Sequence, residues 1–449
     1  MAEIQLYDDQ LEYVDNIREA FRAGHRSVLG VASTGFGKSI TSAYVAKSAA
    51  QKGSSVWFTC HRKNLMRQSS LEFWKMRVEH GMIAPNRRHS RLPVQIASIQ
   101  TLRRRLDKLR PPHLLEVDEA HMAMAASWRY VVEWCKERGS LVLGNSASPH
   151  RLDGRPLGDI FDVMVESRPM WWLIQQGRLS DYRIYAPSKP VDTSKLHTRG
   201  GEYVTQEAEE LMDKSSITGD CVSHYKKYAL EKRTVCYCVS KKHSRHVAQR
   251  FNDAGIPAVH IDSDSTEKEL KEAIWGFATG RYWVLCNVEL ITTGFDLSAQ
   301  IGFEIPIEAI ILLRPTQSLA LFLQMVGRGL RKKPHPAIIL DHAGCCFRHG
   351  LPDEEREWSL EGDSGQRKKP KDEGEVSIRQ CPRCFHVHRP KPVCPSCGHV
   401  YELQPRELEE RDGELVELDA EAMKRERKQA QGRAKVGRAS CRERVLRLV

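Results

Sequence analysis

Ser27-Val-Leu-Gly-Val31, then Ala32-Ser-Thr-Gly-Phe-Gly-Lys-Ser39, then Ile40-Thr-Ser-Ala-Tyr-Val-Ala-Lys-Ser-Ala-Ala50, is the run whose reading decides the fold. The first piece has the pattern of a short buried strand. The last has that of a helix whose small residues face a sheet. A glycine-bearing loop between them, closed by Gly37-Lys-Ser39, is how a P-loop offers backbone N–H groups to phosphates at a helix N-terminus. In that reading Thr34, Gly35 and Gly37 shape the cradle, Lys38 reaches the β- and γ-phosphates, and the Ser39 hydroxyl ligates Mg²⁺. Ala32 stands where the first glycine of the general pattern is expected, and Gly35 carries the loop instead.

Outward from this loop, strands alternate with helices. A helix over 7–21 places Leu11, Val14, Ile17 and Phe21 on one face, and Gln10 at its start has the spacing of a solvated helix residue. Strands follow at 55–60 and 94–98, the stretch 114–121 ends a strand on two acids, and 141–149 is a further strand running into a polar turn, with helical stretches between them. Such alternation predicts a parallel sheet covered on both faces, with ligands gathering at the carboxyl ends of the strands. Lys38, Asp118 and Ser146 all fall at such ends. The basic run 103–110 fits a solvated helix face. A second alternating series begins near residue 221, with strands at 234–239, 258–261, 282–286 and 309–313 and helices at 242–254, 267–279 and 319–326. It has no P-loop of its own, so it is expected to supply groups from outside.

Asp118-Glu119 ends an apolar strand 80 residues after Lys38. Hydrolysis of a nucleoside triphosphate needs one carboxylate to hold Mg²⁺ and a polar group to orient or deprotonate water. Asp118 fits the first role and Glu119 the general base. His121, in Asp118-Glu-Ala-His121, is expected to couple the site to its surroundings.

The 449 residues allow two or three domains, and 41% hydrophobic with 28% charged residues suits globular domains. No apolar run reaches the ~18–20 residues of a membrane span. The N-terminus lacks a signal-peptide pattern, so the expected compartment is the cytoplasm. A net charge of +11 suits a polyanionic partner. Of the 13 cysteines, four stand in Cys381-Pro-Arg-Cys384 and Cys394-Pro-Ser-Cys397, nine residues between the pairs. That spacing is a zinc ribbon signature: four thiolates closing a structural Zn²⁺ site with no open position. His386, His388 and His399 are expected to be bystanders.

Taken together the motifs resemble a superfamily 2 helicase of the DEAD/DEAH-box class over residues 6–331. Gly35-Phe-Gly-Lys-Ser39 resembles motif I, Asp118-Glu-Ala-His121 motif II, and Ser146-Ala-Ser148 motif III with serines for threonines. Thr293-Gly-Phe-Asp296 resembles motif V and Gln324-Met-Val-Gly-Arg-Gly-Leu-Arg331 motif VI. Leu312-Leu-Arg-Pro-Thr-Gln-Ser318 and the cysteine cluster resemble RadD-type bacterial and phage-borne helicases.

The resemblance implies an α/β fold of two tandem RecA-like domains plus a small zinc ribbon, with ATP and Mg²⁺ in the cleft between the domains. It implies that Arg328 and Arg331 reach the γ-phosphate from the second domain, beside Gln324. It also implies that Gly294 and Asp296 belong to the nucleotide site, that Gln10 contacts adenine, and that Ser146 and Ser148 pass closure to the nucleic-acid face. The usual Arg-Pro-Tyr before Gln10 is replaced by Leu6-Tyr-Asp-Asp9. By family position Arg62, Gln100, Thr101, Ser240 and Thr292 hold the nucleic-acid backbone. The implied activity is an ATP-dependent DNA helicase or translocase in repair, recombination or phage DNA metabolism, on single-stranded or branched DNA. An RNA track, or a switch that remodels without unwinding, is the alternative, and the ribbon could receive a protein partner.

The expected organisation is a first domain at 1–186, a linker at 187–220, a second domain at 221–350, a flexible connector at 351–377, the ribbon at 378–402 and a charged tail at 403–435. Gly437-Arg-Ala-Ser-Cys-Arg-Glu-Arg-Val445 resembles a translated sequencing adapter, implying an artefactual stretch over 436–449. Residues 297–308 are longer than the usual turn after motif V, with either no effect or an altered coupling.

Overall fold

The computed structural model describes residues 4–61, 63–87, 90–149, 155–187, 191–291, 297–361 and 378–401. The first sheet is built from β1 (Ser27–Val31), β2 (Val56–Cys60), β3 (Gly81–Ile83), β4 (Val94–Ser98), β5 (Leu114–Asp118), β6 (Leu141–Ser146) and β7 (Val163–Glu166). Their order is β3-β4-β2-β5-β6-β1-β7, and every neighbouring pair is parallel. β1 and β2 are buried at every residue, as strands sandwiched between helix layers must be. Successive residues of β1 serve two separate cores. Val28 packs with Tyr13, Ala43 and Phe58, while Leu29 packs with Leu102, Trp128 and Val131. The helix Lys38–Gln51 turns Thr41, Ser42, Ala43 and Ala46 inward, which lets it lie close to the sheet.

The second sheet comprises β8 (Tyr182–Tyr185), β11 (Thr234–Tyr237), β12 (Ala258–Ile261), β13 (Val284–Asn287), β14 (Ala309–Leu312), β15 (Ala337–Asp341), β16 (Arg379–Gln380) and β17 (His386–His388). A separate hairpin joins β9 (Thr198–Arg199) to β10 (Glu202–Tyr203). The sheet order is β12-β13-β11-β14-β15-β8-β17-β16, parallel as far as β8 and antiparallel beyond it. Two tandem parallel sheets flanked by helices are the RecA-like pair expected from the sequence.

Three boundaries differ from expectation. β8 pairs with β15, so the second unit gains a strand from before residue 186. The segment 187–220 is no bare linker: it holds the β9–β10 hairpin and the helix Thr205–Met212, and Tyr203, Ala208 and Met212 are buried. Its polar sequence hides this, because Glu202 works through its carboxylate, accepting from Thr316 Oγ1 at 2.5 Å and Gln317 N at 2.9 Å. The ribbon is not free-standing either, since β17 extends the second sheet along β8.

The connector also starts packed rather than loose. Trp358 and Leu360 lie against the core of the first sheet, and the Leu360 carbonyl accepts Gly158 N–H at 2.9 Å. Arg356 donates to the carbonyls of His349, Leu351, Pro352 and Glu354. Residues 362–377 and the tail expected at 403–435 lie outside the described residues. No helix among the described residues is long and apolar enough to cross a membrane.

Candidate active site between the two sheets

β5, β6 and β1 are adjacent, so their carboxyl ends bring the phosphate loop, Asp118-Glu119 and Ser146 together. The loop is tied to β6 by Ala32 N–H donating to Ser146 O at 2.9 Å. Gly35 and Gly37 have φ of 88° and 103°, the left-handed region that glycine enters without cost. Ala32 lies outside that region, which is why alanine serves where a glycine was expected. Glu119 does enter it, at φ 51° and ψ 57°, turning the chain sharply from β5 into the short turn Ala120–Met122.

A cavity of about 380 Å³ opens over this end, lined by Thr34, Gly35, Gly37, Lys38, Ser39, Asp118 and Glu119 from the first unit. Gln324, Gly327, Arg328 and Arg331 line it from the second. The helix Leu319–Gly329 delivers the first three and Arg331 follows two residues past its end, with Ser318 Oγ capping the helix start by accepting Leu321 N–H. Gly327 allows the approach: a Cβ there would lie 2.2 Å from Thr34 Cγ2. Gln324 Nε2 sits 3.4 and 3.5 Å from the two Glu119 carboxylate oxygens, and His121 Nδ1 is 3.4 Å from Oε2.

Charge is divided unevenly within the acidic pair. Burial, then Glu119, pushes the Asp118 carboxyl up to about 7, against the pull of Lys38. Burial acts on Glu119 in the same sense, but Lys38, His121, His61 and Arg328 together hold it below the usual carboxylate range. Glu119 is therefore the more acidic member of the pair, and Asp118 is the one that burial and its neighbour hold toward the neutral form.

Gln10 is not the solvated residue its spacing suggests. It is buried, accepts Tyr7 N–H on Oε1 at 3.0 Å and donates from Nε2 to Phe36 O at 2.6 Å, under the phosphate loop. Ser146 and Ser148 are fully buried in one turn, Ser146 Oγ donating to Ser148 O at 2.6 Å. Of the residues assigned to the nucleic-acid backbone, Gln100 is exposed and donates to His61 O at 3.3 Å, whereas Thr101 is buried. Ser240 caps the helix Lys241–Asp253 by accepting His243 N–H at 3.0 Å. Arg62, Thr292, Gly294 and Asp296 lie outside the described residues.

Among the lining residues that sequence reasoning missed are Arg178 and Glu304. Arg178 ion-pairs with Asp9, donates to Phe36 O at 3.3 Å and stacks 4.0 Å over the Tyr7 ring. Its only signal was a lone cation after the Gly177 helix stop. Glu304 comes from the extended segment 297–308, which packs through Leu297, Ile305 and Ile307.

At the ribbon, Cys381 and Cys397 Sγ are 3.6 Å apart and Cys384 and Cys394 Sγ 3.7 Å. Thiolates at the usual ~2.3 Å from a tetrahedral Zn²⁺ stand about 3.8 Å from one another, so the four sulfurs fit that ion. His386 and His388 are also buried, and their ring nitrogens approach Cys394 within 4.8 Å.

Residues 3–151 match the family described as type III restriction enzyme, res subunit, and residues 217–333 the helicase conserved C-terminal domain. A Lactococcus phage (isolate 7-9) protein named "51.5 kDa protein" is 33% identical over 394 residues, 87% of this chain and 82% of that one. The Saccharomyces cerevisiae "Putative ATP-dependent helicase IRC3" is 31% identical over 258 residues, 55% of this chain but 36% of that protein. Among solved structures, the ATP-dependent type ISP restriction-modification enzyme LlaBIII, bound to DNA, superposes with a TM-score of 0.55. The likeness has 15% identity and covers 75% of this chain and 28% of that one. A Saccharomyces cerevisiae Dbp5 variant bound to RNA and ADP BeF3 superposes with a TM-score of 0.50 at 13% identity, covering 78% and 93%. With both helicase domains matched in order around this cavity, the chain belongs to the superfamily 2 helicases.

Proposed function

We propose that this protein is a DNA-dependent ATPase that translocates along or unwinds DNA, hydrolysing ATP in the cavity between its two sheets. The observation that carries this reading is the convergence of Lys38, Asp118 and Glu119 from one unit with Gln324, Arg328 and Arg331 from the other on a single cavity. Lys38 and the loop N–H groups would hold the phosphates, and Ser39 with Asp118 the Mg²⁺, which supplies countercharge to the phosphate oxygens when bound. Glu119, ionised, orients water and takes its proton. Arg328 and Arg331 stabilise charge on the γ-phosphoryl group only while both units are engaged, which turns nucleotide state into domain motion. Gln324, at the same interface, holds the Glu119 carboxylate.

DNA is favoured as track by the match to a restriction-enzyme family, while the net charge of +11 suits a nucleic acid of either kind. Contacts through Gln100 and Ser240, and through Arg62 and Thr292 by family position, would be to the backbone. Binding should therefore weaken with salt and show little base preference. The test is ATPase activity with single-stranded DNA, duplex DNA, branched DNA and RNA, beside a strand-displacement assay. Stimulation by RNA alone would overturn the DNA reading. Stimulation by DNA without displacement would leave a translocase or switch. Lys38→Ala should abolish hydrolysis in every arm.

A further inference from the structure

Between the short helix Met170–Gln175 and β8, three consecutive residues touch both halves of the active site. Arg178 grips the first unit through Asp9 and Phe36 O. Leu179 is buried directly against the phosphate loop: a Cβ on Gly35 would lie 2.5 Å from its Cδ2. Ser180, also buried, turns to the second unit. Its N–H donates to Leu330 O at 2.9 Å, and its hydroxyl lies 3.1 Å from both Arg331 O and Lys333 O while accepting Lys333 N–H at 2.8 Å. Leu179 and Arg331 form an antiparallel bridge. Lys333 Nζ completes the arrangement by donating to Gly329 O and, at 3.2 Å, to Arg331 O.

The carbonyls involved belong to Gly329, the last residue of the helix Leu319–Gly329, and to Leu330 and Arg331 just beyond it, where the helix end leaves acceptors without intrahelical partners. Ser180 and Lys333 satisfy them. They also fix the backbone from which the Arg331 side chain departs toward the cavity. The P-loop glycine and the arginine are thus joined through two adjacent residues, a far shorter route than the sheets provide.

We propose that Ser180 is a positioning residue for Arg331, and that Leu179-Ser180 is the peg through which occupancy of the phosphate loop sets the placement of that arginine. This rests on the reading of the cavity as an ATPase site. An arginine misplaced by about 1 Å forfeits much of its stabilisation of the transition state while leaving nucleotide binding to the P-loop.

The experiment is a double-variant cycle on steady-state and single-turnover ATP hydrolysis with Ser180→Ala, Arg331→Ala and the pair, each checked by circular dichroism melting. Ser180→Ala should lower kcat about 5–20-fold with KM for ATP within twofold. In the Arg331→Ala background the same change should cost less than twofold. Lys333→Met, which removes the second tie to the Arg331 carbonyl, should repeat the pattern, and Ser180→Thr should restore part of kcat. An equal loss in both backgrounds would make Ser180 merely structural and overturn the proposal, as would an unchanged kcat. Were Arg331→Ala to hydrolyse ATP like the wild type, the two-unit ATPase reading would fall first and the peg with it.

Discussion

Gln324 Nε2 lies 3.4 Å from Glu119 Oε2, across the junction of the two sheets. Both residues are buried, and the distance is at the long end for a hydrogen bond, so the contact has room to tighten when the units close on a nucleotide. Glu119→Gln should lower kcat by ~10²–10⁴, the usual range for loss of a general base, with nucleotide affinity retained. Gln324→Ala should cost roughly tenfold. Gln324→Glu should cost more, because two carboxylates would then face each other. Measured kcat values should fall in the order wild type, Gln324→Ala, Gln324→Glu; the reverse order of the last two would show that Gln324 does not act on Glu119.

Glu116 presents a different electrostatic situation. It lies in the interior of β5, fully buried, and burial followed by the nearby Asp118 pushes its carboxyl up to about 8, with Ser42 opposing. The folded state therefore holds a proton that the unfolded state releases near pH 4.5. Stability from this group is fully present below about pH 4.5 and lost as pH rises toward 8. Glu116→Gln removes the titration. Its stability relative to wild type should rise between pH 5 and pH 8 by ~1–3 kcal/mol. Thermal melts at pH 5, 6.5 and 8 read the difference, and a gap that stayed constant with pH would contradict the buried, protonated state.

The ribbon that carries the four cysteines is tied to a sheet edge, since β17 pairs with β8 and Gln380 Nε2 donates to Ala186 O at 2.6 Å. Elemental analysis should find one zinc per chain at this cluster. Cys394→Ser or a strong chelator should remove it and lower Tm by ~5 °C, with β17 the first segment to lose hydrogen-exchange protection. Nucleotide affinity should stay within about twofold, because the cluster shares no residue with the nucleotide cavity. A zinc-free protein with unchanged Tm would argue against a structural site.

The contrast between legible and illegible parts has a physical basis. Lys38, Asp118 and Ser146 could be placed because buried parallel strands read as apolar runs, and their polar ends stand out. Gln324 and Arg328 sit on a strongly patterned helix, Arg331 just past its end, and all three came from the resemblance. Arg178, Leu179 and Ser180 could not be found that way. Arg178 acts through the distant Asp9 and Tyr7 as well as Phe36 O, Leu179 through contact with Gly35 and Ser180 through main-chain partners, which leaves no local pattern of residue types. Glu202 likewise joins the β9–β10 hairpin to Thr316 more than a hundred residues away, and nothing local announces it. Position within the motif did not separate Thr101 from Gln100: the helix Ile99–Arg105 turns Thr101 inward while Gln100 faces out.

Gly327 is the residue whose size sets the distance between the units. Its added Cβ would lie 2.2 Å from Thr34 Cγ2 and 2.8 Å from Thr34 Cβ, closer than atoms can approach, and Thr34 has a stiff, branched side chain. Gly327→Ala should therefore lift the helix Leu319–Gly329 from the phosphate loop and carry Gln324, Arg328 and Arg331 back together. The P-loop itself is untouched, so KM for ATP should change little while kcat falls ~10–100-fold, or about 1.4–2.7 kcal/mol of transition-state stabilisation. Thr34→Ser removes the nearer of the two clashing atoms and keeps the loop's backbone. Combined with Gly327→Ala it should recover part of kcat, whereas alone it should change kcat by less than threefold. Absence of any rescue would place the effect of Gly327→Ala within its own helix instead of at the contact with Thr34.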